Sequence, residues 1–133
     1  MALVGEYSDT LRAVGRFLDD IQAFGITVVD EGENWLVTWD GPGSMAFHRF
    51  ALEALRDVAR GYRGLEGDLP RFTTSQILRI LGAVLDRLNS TSFSIREMED
   101  GYRLSALVGE NVVDHTYSLD EIHALLDERL RAR

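Results

Sequence analysis

The sequence matches itself at a spacing of 67 residues, and this internal match constrains the fold more than any other feature. Between residues 8–63 and their partners 67 positions later, eight of 56 aligned positions are identical, and the apolar pattern stays in phase throughout. The first copy carries these identities at Ser8, Leu11, Arg12, Gly15, Leu18, Asp19, His48 and Leu52. Self-similarity at a fixed period is typical of repeated structural units, so we expect two equivalent units.

Each unit is predicted to begin with a helix. Apolar residues recur at helical spacing after Ser8 and again after Thr74 or Ser75, which we expect to be N-caps, and Gly25 occupies the place of a C-terminal capping glycine. Three short segments of alternating apolar residues follow in each unit and predict strands separated by tight turns. A second helix closes each unit, and the sequence Ser118-Leu119-Asp120-Glu121 fits a capping box at its start.

This order predicts the fold class α+β. We expect one domain over residues 1–133, built from two pseudo-symmetric α-β-β-β-α repeats at 8–63 and 75–131 with a linker at 64–74. Helices would cover one side of an antiparallel sheet in two layers. Glycines at matching mid-helix positions, Gly15 and Gly82, predict a close helix crossing at the pseudo-two-fold axis, because glycine inside a helix costs about 1 kcal/mol relative to alanine.

The composition excludes several classes of chemistry. The chain has no cysteine and no lysine, which excludes disulfides, thiolate nucleophiles, Schiff-base lysines and a phosphate-loop lysine. A net charge of −8 argues against nucleic acids and anionic membranes as partners. We find no cofactor motif and no segment of about 18 apolar residues, and we expect a cytoplasmic location with no cofactor.

The strand alternation predicts an asymmetric outer sheet face. In the second unit the outward residues are polar: Ser94, Arg96, Arg103, Ser105, Asp114 and Thr116. In the first unit the outward residues are mostly apolar: Thr27, Val29, Leu36, Thr38, Met45 and Phe47. An apolar patch of this kind is typical of a contact site, so these six residues are the predicted interface, unless the second unit or the linker folds over them.

Two histidines are the only candidates for chemistry. His48 and His115 occupy equivalent inward positions on the third strands, where they would approach each other across a pseudo-axis and could hold a metal or act as acid and base. The alternative is that each is an ordinary hydrogen-bonded histidine at a sheet edge. No catalytic residue and no metal site is otherwise predicted.

Two resemblances concern topology and size. The α-β-β-β-α order resembles the double-stranded-RNA-binding domain, but that family's lysine-rich helix start is replaced here by Ala51-Leu52-Glu53-Ala54 and Leu119-Asp120-Glu121-Ile122. RNA binding is therefore not implied. The size, the acidity and the apolar sheet face are similar to those of bacterial type III secretion chaperones, which dimerise and bind extended effector segments.

Together these features predict a non-enzymatic protein-interaction module that self-associates through its apolar sheet face or binds a protein partner. A small-ligand or metal-dependent enzyme that uses His48 and His115 is one alternative. A binder of extended segments, similar to the secretion chaperones, is the other.

Overall fold

The computed structural model describes residues 6–41, 44–61 and 73–131, and within these ranges it contains four helices and six strands. The first half comprises α1 (Glu6–Asp20), β1 (Phe24–Asp30), β2 (Asn34–Gly41), β3 (Ser44–Ala51) and α2 (Leu52–Arg60). The second half comprises α3 (Thr74–Leu88), β4 (Ser92–Met98), β5 (Gly101–Val108), β6 (Asn111–Ser118) and α4 (Leu119–Arg131). The element order predicted for each half is therefore present.

The six strands form one antiparallel sheet in the order β3-β2-β1-β4-β5-β6. The two halves join through their first strands, where Val28 lies opposite Ile95. The second half thus extends the sheet sideways and does not fold over the first half. The predicted α+β class, with helices and an antiparallel sheet, is confirmed.

One hydrophobic core lies between the sheet and the helices. The strands contribute alternate residues to it, including Ile26, Val28, Trp35, Val37, Phe93, Ile95, Tyr102 and Leu104, all buried. All four helices contribute as well, from Leu11 of α1 to Ile122 of α4, and both of these residues are fully buried. The described helices therefore pack on one face of the sheet, as the period of two along the strands requires. None of these helices has the length and apolar character needed to span a membrane.

The antiparallel helices α1 and α3 cross at the two glycines that the sequence singled out. A methyl group at Gly15 would lie 2.5 Å from the Cα of Ser75, and one at Gly82 would lie 2.6 Å from the carbonyl oxygen of Tyr7. Only glycine lets the backbones approach this closely, so the predicted helix crossing is confirmed. The close packing at this crossing offsets the poor helix propensity of the two glycines.

Each of these helices also caps the other with an aspartate. The Asp19 carboxylate near the end of α1 accepts hydrogen bonds from the backbone N–H groups of Thr74 and Ser75, both at 3.0 Å. The Asp86 carboxylate near the end of α3 accepts from Tyr7 and Ser8, at 2.9 and 3.1 Å. The first N–H groups of a helix lack partners within the helix and attract negative charge, so both carboxylates stabilise the crossing.

The helix ends differ from prediction. Ser8 lies inside α1, and its hydroxyl donates to the carbonyl of Arg79 instead of capping its own helix. The N-cap of α3 is Thr73, whose side chain accepts from the N–H of Gln76. The residue that ends α1 in left-handed backbone is Gln22, with φ of 55°, and the N–H of Ala23 then bonds the carbonyl of Leu18 at 2.9 Å. Gly25 is also left-handed, with φ of 61°, but it lies in β1 and does not cap the helix.

Replacing Gly82 with alanine should destabilise the protein by about 1–3 kcal/mol, because the new methyl group meets backbone atoms that cannot move aside. Chemical denaturation measures this loss. The control is Gly61→Ala, at an ordinary φ of −67° just beyond α2, where the change should stay within about 0.5 kcal/mol. A Gly82→Ala protein as stable as the wild type would mean that the helices do not cross this closely.

Replacing Asp86 with alanine should cost about 2–4 kcal/mol, because two partly buried N–H groups lose their acceptor. Asp57→Ala is the matched control, since Asp57 makes only an exposed ion pair with Arg60, and its removal should change the free energy of unfolding by less than about 0.5 kcal/mol. Equal losses in the two variants would contradict the capping role of Asp86.

Candidate interaction surface

The candidate site is the outer face, which we define as the side of the sheet opposite the helix layer. The strand registers place the following side chains on it: Thr27, Val29, Leu36, Thr38, Phe47, Arg49, Ser94, Arg96, Arg103, Ser105, Leu107, Val112, Asp114 and Thr116. No helix among the described residues covers this face. Six strands about 4.8 Å apart and about 24 Å long give it an area of about 700 Å².

The first half of this face is apolar. Val29 and Leu36 are directly opposite each other on β1 and β2, and Phe47 lies on β3. The Phe47 ring is 63% exposed, and the Arg49 guanidinium sits 5.5 Å from its centre while also bonding Glu31. We call Val29, Leu36 and Phe47 the apolar half.

The middle of the face is polar but uncharged on its β1 and β2 side. The Thr27 and Thr38 hydroxyls lie opposite each other and share a short hydrogen bond. Both threonines are half-buried, and one hydroxyl donates to the other. These two predicted interface residues are therefore uncharged neighbours of the apolar half.

The second half of the face carries charge at the equivalent positions. Adding 67 to Val29, Leu36 and Phe47 gives 96, 103 and 114, which are Arg96, Arg103 and Asp114. Arg103 binds Asp114 through two hydrogen bonds, Nε to Oδ1 at 3.1 Å and Nη2 to Oδ2 at 2.5 Å. These bonds lower the pKa of the Asp114 carboxyl and raise the pKa of the Arg103 guanidinium. We call Arg96, Arg103 and Asp114 the arginine half.

Further apolar residues lie at the far edge of the same face. Leu107 on β5 and Val112 on β6 face each other, and they are 36% and 71% exposed. The predicted interface did not include them, although the same alternation that places Arg103 and Asp114 outward also places Leu107 and Val112 outward. The second half of the outer face thus carries both charged residues and, near the turn between β5 and β6, an apolar pair.

His48 and His115 do not meet, and the prediction that they approach each other is wrong. His48 lies on β3 and His115 on β6, which are the two opposite edges of the sheet, about 24 Å apart at five strand spacings of ~4.8 Å. The prediction required the halves to join through their third strands, whereas they join through their first. Among the described residues, no three His, Asp or Glu side chains come together as a metal-ligand set.

Each histidine has local partners instead. The His48 ring contacts Phe50, with ring centres 4.5 Å apart, and lies 6.2 Å from Phe17. The His115 Nε2 lies 3.0 Å from an oxygen of Glu121, whose other oxygen accepts from the N–H of Ser118. The Ser118 hydroxyl accepts from the N–H of Glu121 in return, so the predicted capping box is confirmed.

Some predicted features fall outside the described part of the chain. They are the side chain of Met45, most of the linker, and the arginine side chains after residue 125. Cover of the outer face by the linker therefore stays a prediction.

The chain was compared with known proteins. No protein-family model matches it, and the searches of curated proteins and of solved structures found no match either. The outer face itself is therefore the basis for proposing a function.

Replacing Glu121 with glutamine should change the pH dependence of stability. The hydrogen bonds from His115 and from the Ser118 N–H lower the pKa of the Glu121 carboxyl below its unfolded value of ~4.3. A lowered pKa stabilises the folded protein above the unfolded pKa, and this contribution disappears as the pH falls through the folded pKa. Wild type should therefore be the more stable protein at neutral pH, and the two should converge in acid.

Thermal unfolding between about pH 2 and pH 7 measures this difference. Glu110→Gln, which removes a carboxylate from the exposed turn between β5 and β6, is the matched control. A difference between wild type and Glu121→Gln that stays constant over the whole pH range would show that the ionised carboxylate does not act in the capping box.

Proposed function

We propose that this protein is a non-enzymatic protein-interaction module, that the outer face is its contact surface, and that a second copy of the chain packs on the apolar half. The observation that carries this proposal is the exposure of Phe47 on β3 and of Val29 on β1, on a sheet face that no described helix covers. A group of large apolar side chains exposed on one face of a soluble protein usually marks a contact site.

The two halves of the face suit a second copy unequally. In a two-fold interface each patch meets itself, so the uncharged residues of the apolar half pack well against their own copies. A two-fold dimer that used the whole face would be less favourable. In one orientation of such a dimer, the arginines of the two copies would face each other. In the other orientation, the apolar half of each copy would face Asp114 of the other copy.

The expected dimer is therefore weak. Three of the six strands offer about 350 Å² for each copy, against about 800 Å² in a standard stable complex. Association through the apolar half should consequently depend on protein concentration.

Our second proposal concerns the architecture: the two halves are pseudo-symmetric repeats. Its support is the recurrence of contacts at the 67-residue spacing. Gly15 and Gly82 mark the crossing, Asp19 and Asp86 cap the opposite helices, and Gln22 and Asn89 both adopt left-handed backbone, with φ of 55° and 54°. The apolar half and the arginine half would then be equivalent surfaces of the two repeats that carry different side chains.

A binder of extended segments is a second candidate, and the sheet edges favour it. β3 and β6 each extend over eight residues, and within the described ranges no strand pairs with their outer sides. An extended segment can add to such an edge through backbone hydrogen bonds. If a segment bound in this way, the backbone of the edge strand would contribute more to binding than the Phe47 side chain.

Replacing Phe47 with aspartate should abolish self-association and leave the fold intact, because the exposed ring contacts solvent in the monomer and the second copy in the dimer. Light scattering on a sizing column over a dilution series measures the mass. For wild type the average mass should rise toward that of a dimer with concentration, and for Phe47→Asp it should stay at the monomer.

The control is Val58→Asp on α2, a side chain that is 54% exposed on the helix layer, and it should associate as wild type does. A Phe47→Asp protein that dimerises normally would contradict the proposal. Unfolding of Phe47→Asp would instead show that another part of the same chain covers the ring.

A further inference from the structure

Arg96 lies near the centre of the outer face, and no carboxylate of the described residues pairs with it. It is exposed on β4, directly opposite Thr27 on one side and Arg103 on the other. Its neighbours two residues along the strand are Ser94 and Met98. Among the described residues no ion pair to Arg96 forms, although the chain has 22 acidic residues for 14 basic ones.

The nearest acid on this face is already engaged. Asp114 receives two hydrogen bonds from Arg103 and lies directly opposite Ser105, so its contacts are with β5 and not with β4. Arg103 uses its Nε and Nη2 in this contact and keeps further donors in its guanidinium. Asp114 offsets one of the two positive charges on the directly opposed Arg96 and Arg103, and one positive charge remains. A carboxylate beside Arg96 would offset it and gain charge-assisted hydrogen bonds.

We propose that Arg96 and Arg103 form a carboxylate-binding pair on the outer face, and that the partner of the arginine half is a protein segment that carries a glutamate or aspartate between apolar residues. This inference rests on the proposed function of the outer face. The charge favours a carboxylate. Val29, exposed on β1 opposite Ser94, and Leu107, exposed further along β5, favour apolar neighbours for it toward that end of the strands. Ser94 and Ser105, opposite each other, add hydroxyl groups beside the pair.

A nucleic acid suits this surface less well than a protein carboxylate. The chain as a whole has a net charge of −8, which repels a long polyanion, while a single carboxylate is attracted by the local pair. Among the described residues Arg96 and Arg103 are the arginines at this site, and a nucleic acid contacts many cations along its backbone.

A titration of the full chain, labelled with nitrogen-15, tests the proposal. The probe is a short blocked peptide with one glutamate and valines two positions before and after it, so that in an extended segment all three side chains lie on the same side. Its match is the same peptide with glutamine in place of glutamate. We expect the glutamate peptide to shift the amide signals of Ser94, Arg96 and Arg103 and to bind about tenfold or more tightly than the glutamine peptide.

The variant is Arg96→Gln, and the control is Arg16→Gln, which removes the same charge from the helix layer. Arg96→Gln should weaken the glutamate peptide about tenfold, while Arg16→Gln should bind as wild type does. In the same samples the melting temperature of Arg96→Gln should equal or exceed that of wild type, because no carboxylate of the described residues pairs with Arg96. If Arg96 served only stability, Arg96→Gln would bind the glutamate peptide as wild type does and would have a lowered melting temperature.

Three results would overturn the proposal. The first is equal binding of the two peptides. The second is a lowered melting temperature of Arg96→Gln, which would mean that an acid of the same chain pairs with Arg96. The third is that a short single-stranded DNA binds as tightly as the glutamate peptide at physiological salt. Shifts from both peptides confined to Val29, Leu36 and Phe47 would also overturn it, yet would leave the proposed function standing. Glutamate-specific binding together with a Phe47→Asp protein that still dimerises would support the arginine pair and reject the apolar half.

Discussion

The crossing of α1 and α3 is the contact on which the rest of the structure depends. Two glycines let the backbones touch, and two aspartates, one from each helix, close the N-terminus of the other. These contacts fix the two helices antiparallel and in register. Since each helix leads directly into a first strand, fixing the helices also brings β1 beside β4 and makes one sheet from two halves.

The position of the outer face follows from that arrangement. The four described helices all lie on one side of the six-stranded sheet, so none of them covers the other side. The period of two along each strand then places every second side chain on that other side, whatever its chemistry. The same geometry that places Arg96, Arg103 and Asp114 there also places Val29 and Phe47, which are exposed, and Leu36, which is partly exposed. The fold therefore determines that these positions face outward, but it does not determine which side chains occupy them. A function can act only on that second choice.

The sequence predicted faces and elements well, but not the order of the strands. Alternation depends on neighbours along the chain, so the inward and outward rows could be read directly, and mid-helix glycine has a cost that indicates a crossing. Whether the halves join through β1 and β4 or through β3 and β6 depends on contacts between residues far apart in the sequence, so the sequence alone could not show that His48 and His115 lie at opposite edges of the sheet. The capping role of Asp19 and Asp86 was hidden for the same reason. Their identity was visible at the 67-residue spacing, while their acceptance of N–H groups from the other helix needs three dimensions.

Arg96 and Arg103 lie directly opposite each other on β4 and β5, and Asp114 binds Arg103, so these three side chains together carry one net positive charge. The position equivalent to Arg96 in the first half holds the uncharged Val29. A carboxylate beside Arg96 would offset that charge and gain charge-assisted hydrogen bonds. In the proposed function, the same charge would also repel a second arginine half, so a second copy would pack on the apolar half and an acidic segment on the arginine half.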